Sequence, residues 1–229
     1  MKSVGIIGGL GPETTAEFYL EVIFRCQKLD GTRRPSIIIA SVPLPFEIER
    51  DLIAANTGKE RYIPFLASEA KRLEKSGADF IVMPCNSLHV FIDQIRASVG
   101  IPVLSIVEET ARYVREHGYK KVGLISTSAT VANNVYETKL KESGIEFVVP
   151  DGLQRAKMDK IIQRLIDGQH LNSDRDEVIA IADGLAAQGV DCVALACTDL
   201  QLLLPSSDNT VIFDTMKVLA DATVRKILS

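Results

Sequence analysis

Asp79-Phe80-Ile81-Val82-Met83-Pro84-Cys85-Asn86-Ser87 and Asp191-Cys192-Val193-Ala194-Leu195-Ala196-Cys197-Thr198-Asp199 share one pattern: acidic residue, apolar run, cysteine, small polar residue. A short apolar run bounded by turn residues reads as a buried strand, and each cysteine stands just past its end. The two cysteines are 112 positions apart, and other strands recur at nearly that offset. Val4-Gly5-Ile6-Ile7-Gly8 is echoed by Val122-Gly123-Leu124-Ile125-Ser126, residues 36–42 less clearly by 145–149, and Ile101-Pro102-Val103-Leu104-Ser105 by Thr210-Val211-Ile212-Phe213-Asp214. Four strands per half in one order predict two similar lobes.

Short β-branched runs alternate with amphipathic segments throughout, which predicts βα units. The expected fold is α/β, with two pseudo-symmetric lobes, each a mostly parallel four-stranded sheet flanked by helices. Strands are expected near 3–8, 36–42, 79–84, 102–106, 121–126, 145–149, 191–196 and 210–213. Helices are expected near 12–28, 58–76, 88–98, 108–117, 131–143, 156–167, 174–188 and 215–228. The chain of 229 residues is long enough for two small cores. The lobes are expected at 1–99 with 208–229 and at 100–207, with the active site in the cleft between them. Ligands of such sheets bind beyond the carboxyl ends of the strands, where every motif below lies.

A hydrophobic content of 46% and a net charge of −4 describe an ordinary globular protein and set nucleic acid and membrane aside as partners. The first residues lack the apolar stretch of a signal peptide, and no run of about 18 apolar residues follows. A cytoplasmic location is expected, where the four cysteines would be free thiols rather than a disulfide framework.

Gly8-Gly9-Leu10-Gly11-Pro12-Glu13-Thr14-Thr15 follows the first strand and opens the first helix. It departs from a dinucleotide fingerprint, because Thr14 stands where the third glycine belongs and Ser41-Val42-Pro43 ends the second strand without a ribose-binding acid. A tight turn whose N–H groups, at Leu10 and Gly11, face a small anion such as a carboxylate is the better reading. Cys85, at a strand-to-helix turn, lies where a helix amino terminus favours thiolate. Asn86 and Ser87 stand ready to hold a carboxylate beside it, and Thr198 and Asp199 repeat the arrangement at Cys197. Thr127, after the fifth strand, joins the candidate substrate-binding residues. Cys26 and Cys192 are assigned to packing, and His89, one helical turn beyond Cys85, to a supporting role. The histidine and cysteine spacings match no metal site, so no metal is expected. Arg50, in the loop after the second strand, is a candidate for pairing bidentately with an acidic substrate.

Two thiols facing one carbon suit inversion of a stereocentre. With a reference pKa of about 8.5, one cysteine can be the base while the other is the acid. At this point the chain resembles the aspartate/glutamate racemase family over essentially its whole length, through GGLGPETT at 8–15, PCNSLH at 84–89, SIVEET at 105–110 and ACTDL at 196–200. The resemblance implies an amino-acid racemase of aspartate, glutamate or broader specificity, working without pyridoxal phosphate or other cofactor, with Cys85 and Cys197 as the catalytic pair. It also implies a homodimer, and a carboxyl-terminal strand and helix that return to the first lobe.

Ala196 and Asp199 stand where the family more often has Gly and Glu, and Ser87 where it more often has Thr. The family's aspartate racemases resemble one another in an Arg after the second strand, which Arg50 matches, and in a Lys on a second-lobe helix, where Asp167 aligns. That leaves Arg50 or one of Lys157, Lys160 and Arg164 to contact the substrate side chain. The competing readings are a related isomerase, such as a maleate isomerase or hydantoin racemase, and a non-catalytic small-anion binding module.

Overall fold

Strand β1 (Val4–Gly8) is buried at all five positions, as an apolar run without polar alternation must be when helices cover both faces of its sheet. It is central to the first of two units into which the structure divides: Met1–Ile106 with Leu219–Ser229, and Val107–Val218. The structure is a computed structural model and describes residues 1–45, 47–48, 58–203 and 206–229.

In the first unit β1 leads into α1 (Pro12–Leu29), which starts with Pro12 in its first turn and Glu13 beside it, both suited to a helix amino terminus. β2 (Ile37–Ser41) pairs in parallel with one side of β1 and β3 (Phe80–Val82) with the other. Between them α2 (Ile63–Lys75) packs on the sheet through Leu66, Ala70 and Leu73. Gly5 permits that approach, since a Cβ there would lie 3.1 Å from the Cβ atoms of both Leu73 and Ala78. After β3 come a 3-10 helix (Ser87–Phe91) and α3 (Ile92–Ser98).

The strand expected at 102–106 is only a single parallel bridge, Ile81 to Val103. The Ile81 N–H donates to Pro102 O at 2.8 Å and the Leu104 N–H to Ile81 O at 2.9 Å. Pro102 has no N–H to continue the ladder. The first sheet is therefore three-stranded, not four-stranded.

The chain enters the second unit through α4 (Ile106–Glu116). There β4 (Lys121–Ile125) is flanked by β5 (Glu146–Val148) and β6 (Cys192–Leu195), and β7 (Val211–Asp214) lies beyond β6, all parallel. The order β5-β4-β6-β7 repeats β2-β1-β3 and its added bridge: second, first, third, fourth. The expected helix at 131–143 is instead two, α5 (Ser128–Ala132) and α6 (Glu137–Glu142). Asn134 takes a left-handed φ of 52°, and Asn133 Nδ2 donates to Ala129 O at 2.8 Å, so the asparagine pair terminates α5. α7 (Gly152–Ile166) and α8 (Asn172–Ala186) follow, and Gly123 lets Leu185 of α8 approach, at 3.0 Å from an added Cβ.

β7 stays in the second sheet, so the carboxyl-terminal return to the first unit consists of helix α9 (Thr215–Leu228) alone, from Leu219 onward. There the Lys2 N–H donates to Ile227 O at 2.9 Å.

Candidate active site

With strands in the order second, first, third, fourth, the loops after the first and third strands of each unit diverge to opposite sides of the sheet and leave a crevice where ligands bind. In the first unit those loops carry Leu10 and Gly11, and Cys85, Asn86 and Ser87. In the second they carry Thr127, and Cys197, Thr198 and Asp199. These loops thus carry, as two half-sites, all the sequence candidates except Arg50, which lies outside the described residues, His89, which stands one turn deeper, and the basic residues Lys157, Lys160 and Arg164, which lie on α7.

The glycine loop is shaped by Thr15, whose Oγ1 accepts the Gly9 N–H at 2.9 Å and donates to Gly11 O at 2.9 Å. Gly9 has a φ of 78°, and a Cβ there would meet Ser41 Oγ at 2.6 Å. Only glycine fits. The Gly9 N–H is thus used within the loop, and the N–H groups expected to face an anion are those of Leu10 and Gly11.

Cys85 is partly exposed and packs against the first core, while Asn86 and His89 are buried. The Ile106 N–H donates to His89 Nε2 at 3.0 Å, and Nδ1 lies 2.6 Å from Cys85 O. Because an amide N–H can only donate, Nε2 is the acceptor. The proton therefore sits on Nδ1, which donates to Cys85 O, and the imidazole is neutral.

Cys197 is 7% exposed, and its Sγ donates to Asp199 Oδ2 at 3.6 Å. Thr198 and Gln201 are buried next to it, and Gln201 Nε2 donates to Met216 Sδ at 3.2 Å. Tyr136 is buried too; desolvation raises its phenol, the hydroxyls of Thr110 and Thr215 beside it act the other way, and the negative charge of Asp214 and Cys197 adds to the rise. Its O–H stays protonated at neutral pH. Thr127 caps α5, its Oγ1 accepting the Thr130 N–H at 3.1 Å.

Sequence reasoning missed Tyr136 and Gln201. The first had a signal in Asn133-Asn134, whose helix-stopping turn precedes it; Gln201 had one in its place four residues after Cys197, matching His89 after Cys85.

Cys26 and Cys192 are fully buried, and desolvation pushes both thiols up, that of Cys192 to about 12. They are packing residues. Among the basic candidates, Lys157 pairs with Glu177 at 2.6 Å, and Arg164 grips buried Asp174 through two nitrogens. Asp174 also accepts the Leu171 N–H at 2.8 Å and is held below the usual carboxylate range by Arg164 first of all. Lys160 is exposed, and Asp167 accepts from Gln163 Nε2 at 3.0 Å. Among the described residues no group of three or more His, Cys, Asp or Glu is arranged to hold a metal ion, and no helix is long and apolar enough to cross a membrane.

Residues 7–223 match the family model described as Asp/Glu/hydantoin racemase. The chain is 32% identical to the broad specificity amino-acid racemase RacX of Bacillus subtilis strain 168, over 99% of this chain and 98% of that one. A solved structure from Yersinia pestis superposes with a TM-score of 0.88 at 31% identity over the whole of both chains. The aspartate racemase of Picrophilus torridus does so with 0.79 at 26% identity, over 99% of this chain and 94% of that one.

Proposed function

The chain belongs to the Asp/Glu/hydantoin racemase family, and from that premise we propose that it is an amino-acid racemase in which Cys85 and Cys197 are the two acid–base groups. One observation carries the reading: the two thiols occupy the same place, just past the third strand, in two units of the same strand order. The other two cysteines are sealed in cores.

In this mechanism one cysteine, as thiolate, takes the α-proton, and the Cα–H pair of electrons passes into the carboxylate as an enediolate. The other cysteine, as thiol, returns a proton to the opposite face. The first is then thiol and the second thiolate, so the next turnover runs from the other enantiomer. Charge on the carboxylate is stabilised by donors aimed at it, from the Leu10–Gly11 peptide, Asn86, Ser87, Thr127 and Thr198. Both proton transfers are supplied by side chains, so activity is expected to survive a chelator and hydroxylamine.

With Asp167 at the position of the family's lysine, and Lys157 and Arg164 already in ion pairs, we take the substrate range as broad, with Arg50 as the group that favours acidic side chains. The same reading makes the protein a cytoplasmic homodimer. The test is to incubate each common amino acid with the enzyme in deuterated water and follow α-proton exchange and optical rotation. Exchange with loss of rotation on at least one amino acid is expected; exchange and racemisation of none would remove the proposal.

A further inference from the structure

We propose that His89 and Gln201 are a matched pair of positioning residues, each fastening the turn that carries its cysteine to the first turn of the helix by which the chain leaves that unit. Each stands four residues after its cysteine, and they are 3% and 6% exposed. His89 spans from Cys85 O, at 2.6 Å, to the N–H of Ile106, at 3.0 Å. Ile106 is both the first residue of α4 and the last of the first unit. Gln201, in the 3-10 helix that begins right after Cys197, reaches Met216 Sδ at 3.2 Å. Met216 lies in the first turn of α9, which leaves the second unit after Val218. That turn is itself fixed: Asp214 Oδ1 accepts the Met216 N–H at 2.8 Å, and Thr215 Oγ1 donates to Leu195 O at 2.9 Å.

The two struts answer one requirement. Proton transfer to and from carbon tolerates errors of only about 0.5 Å in the placement of the acid–base atom. A thiol on a turn is placed only as well as the turn itself is held. His89 ties the Cys85 carbonyl directly to the start of α4, and Gln201 ties the 3-10 helix that follows Cys197 to the first turn of α9. Imidazole and carboxamide are alike for this task, since each presents a donor and an acceptor separated by a single carbon. A glutamine at 89 can therefore accept from Ile106 with Oε1 and donate to Cys85 O with Nε2.

The role in catalysis rests on the racemase reading, but the positioning itself does not, so the experiment uses both kinds of readout on the full chain. Alkylation of each cysteine by iodoacetamide is followed by mass spectrometry in the wild type and in His89→Leu, His89→Gln and Gln201→Leu. Nitrogen-15 NMR of the wild type reads the His89 tautomer. His89→Leu should change the Cys85 alkylation rate by about tenfold or more and leave Cys197 within about twofold, and Gln201→Leu should do the reverse. His89→Gln should restore Cys85 to within about twofold of wild type, and NMR should find the proton on Nδ1. On a racemised amino acid, His89→Leu should lower kcat by roughly 100-fold with KM within about threefold, and His89→Gln should recover most of it. The idea fails if His89→Gln behaves as His89→Leu, if each leucine variant disturbs both cysteines equally, or if the proton is on Nε2. Should His89→Leu not fold, His89→Gln, Gln201→Leu and the NMR spectrum still decide. A wild type inert to every amino acid would remove the racemase reading while alkylation and NMR continued to judge the struts.

Discussion

In the first unit Asp79 accepts the Ser3 N–H at 2.6 Å and returns its own N–H to Ser3 O at 2.8 Å; in the second, Asp191 accepts the N–H groups of Lys120 and Lys121 at 2.6 and 2.9 Å and returns its own to Lys121 O at 2.8 Å. Both clips pin the start of the central strand from the start of its neighbour. Leu73 and Leu185, also 112 positions apart, press on Gly5 and Gly123 in the same way. At the other end of the strands the likeness stops. Ser87 corresponds in position to Asp199, His89 to Gln201, and a partly exposed Cys85 to a buried Cys197 whose thiol donates to a carboxylate. Strand starts answer only to packing, which is the same problem in both units. Strand ends carry the candidate site, and two thiols proposed to work on opposite faces of a substrate need not share surroundings.

The strongest way to break this comparison is to remove the thiols singly. Cys85→Ala and Cys197→Ala should each lower racemisation by about a thousandfold or more. Solvent deuterium exchange without inversion should survive for one enantiomer in the first variant and for the opposite one in the second. A single variant that racemises near the wild-type rate would falsify the two-base reading.

Next in size is Asp199→Ser, which gives the second half-site the residue of the first. Loss of a carboxylate beside Sγ removes a charge that opposes thiolate, so alkylation of Cys197 at pH 7 should speed up about three- to tenfold while that of Cys85 holds. Racemisation should fall roughly tenfold. No change in either would mean that the half-sites differ in sequence but not in electrostatics.

Gly5→Ala and Gly123→Ala probe the part that repeats. Each forces a methyl group against a leucine and should cost about 1–3 kcal/mol in denaturant unfolding, with similar values for the two. A large inequality would show that the units pack differently there.

The smallest effect belongs to Asp191→Asn, at most about 1 kcal/mol for an exposed group. The backbone N–H groups of Lys120 and then Lys121 hold Asp191 below the usual carboxylate range. Its contribution is therefore complete above the unfolded pKa of about 3.9 and fades as pH falls from there through the lower native value. Unfolding of the wild type and the variant should converge over that acid interval. A gap that persists below it would point to a role other than charge.

The paired cysteines, the repeated succession of strands and the assignment of Cys26 and Cys192 to cores were legible in the chain because each follows from local patterns: an apolar run, a turn, an offset. The bridge at Val103 was not, because Ile101 to Ser105 reads as a strand until the missing N–H of Pro102 is set against its neighbour. Nor was the burial of Tyr136, which depends on Asn134 adopting a left-handed conformation that hydrophobic periodicity does not register. His89 was visible as a residue near the site, but its neutral state came only from the Ile106 N–H, seventeen residues on.

The return of α9 to the first unit bears on how the protein is made. Val107–Val218 is one unbroken stretch, while the first unit needs both Met1–Ile106 and Leu219–Ser229. Leu219, Val224 and Ile227 are buried, so a nascent chain that ends at Val218 lacks part of the first unit's interior. On the ribosome, where domains usually close in the order they emerge, the half translated second has all its pieces first. The first unit cannot complete its interior until Leu219–Ser229 have emerged, long after the Cys85 turn itself has been made.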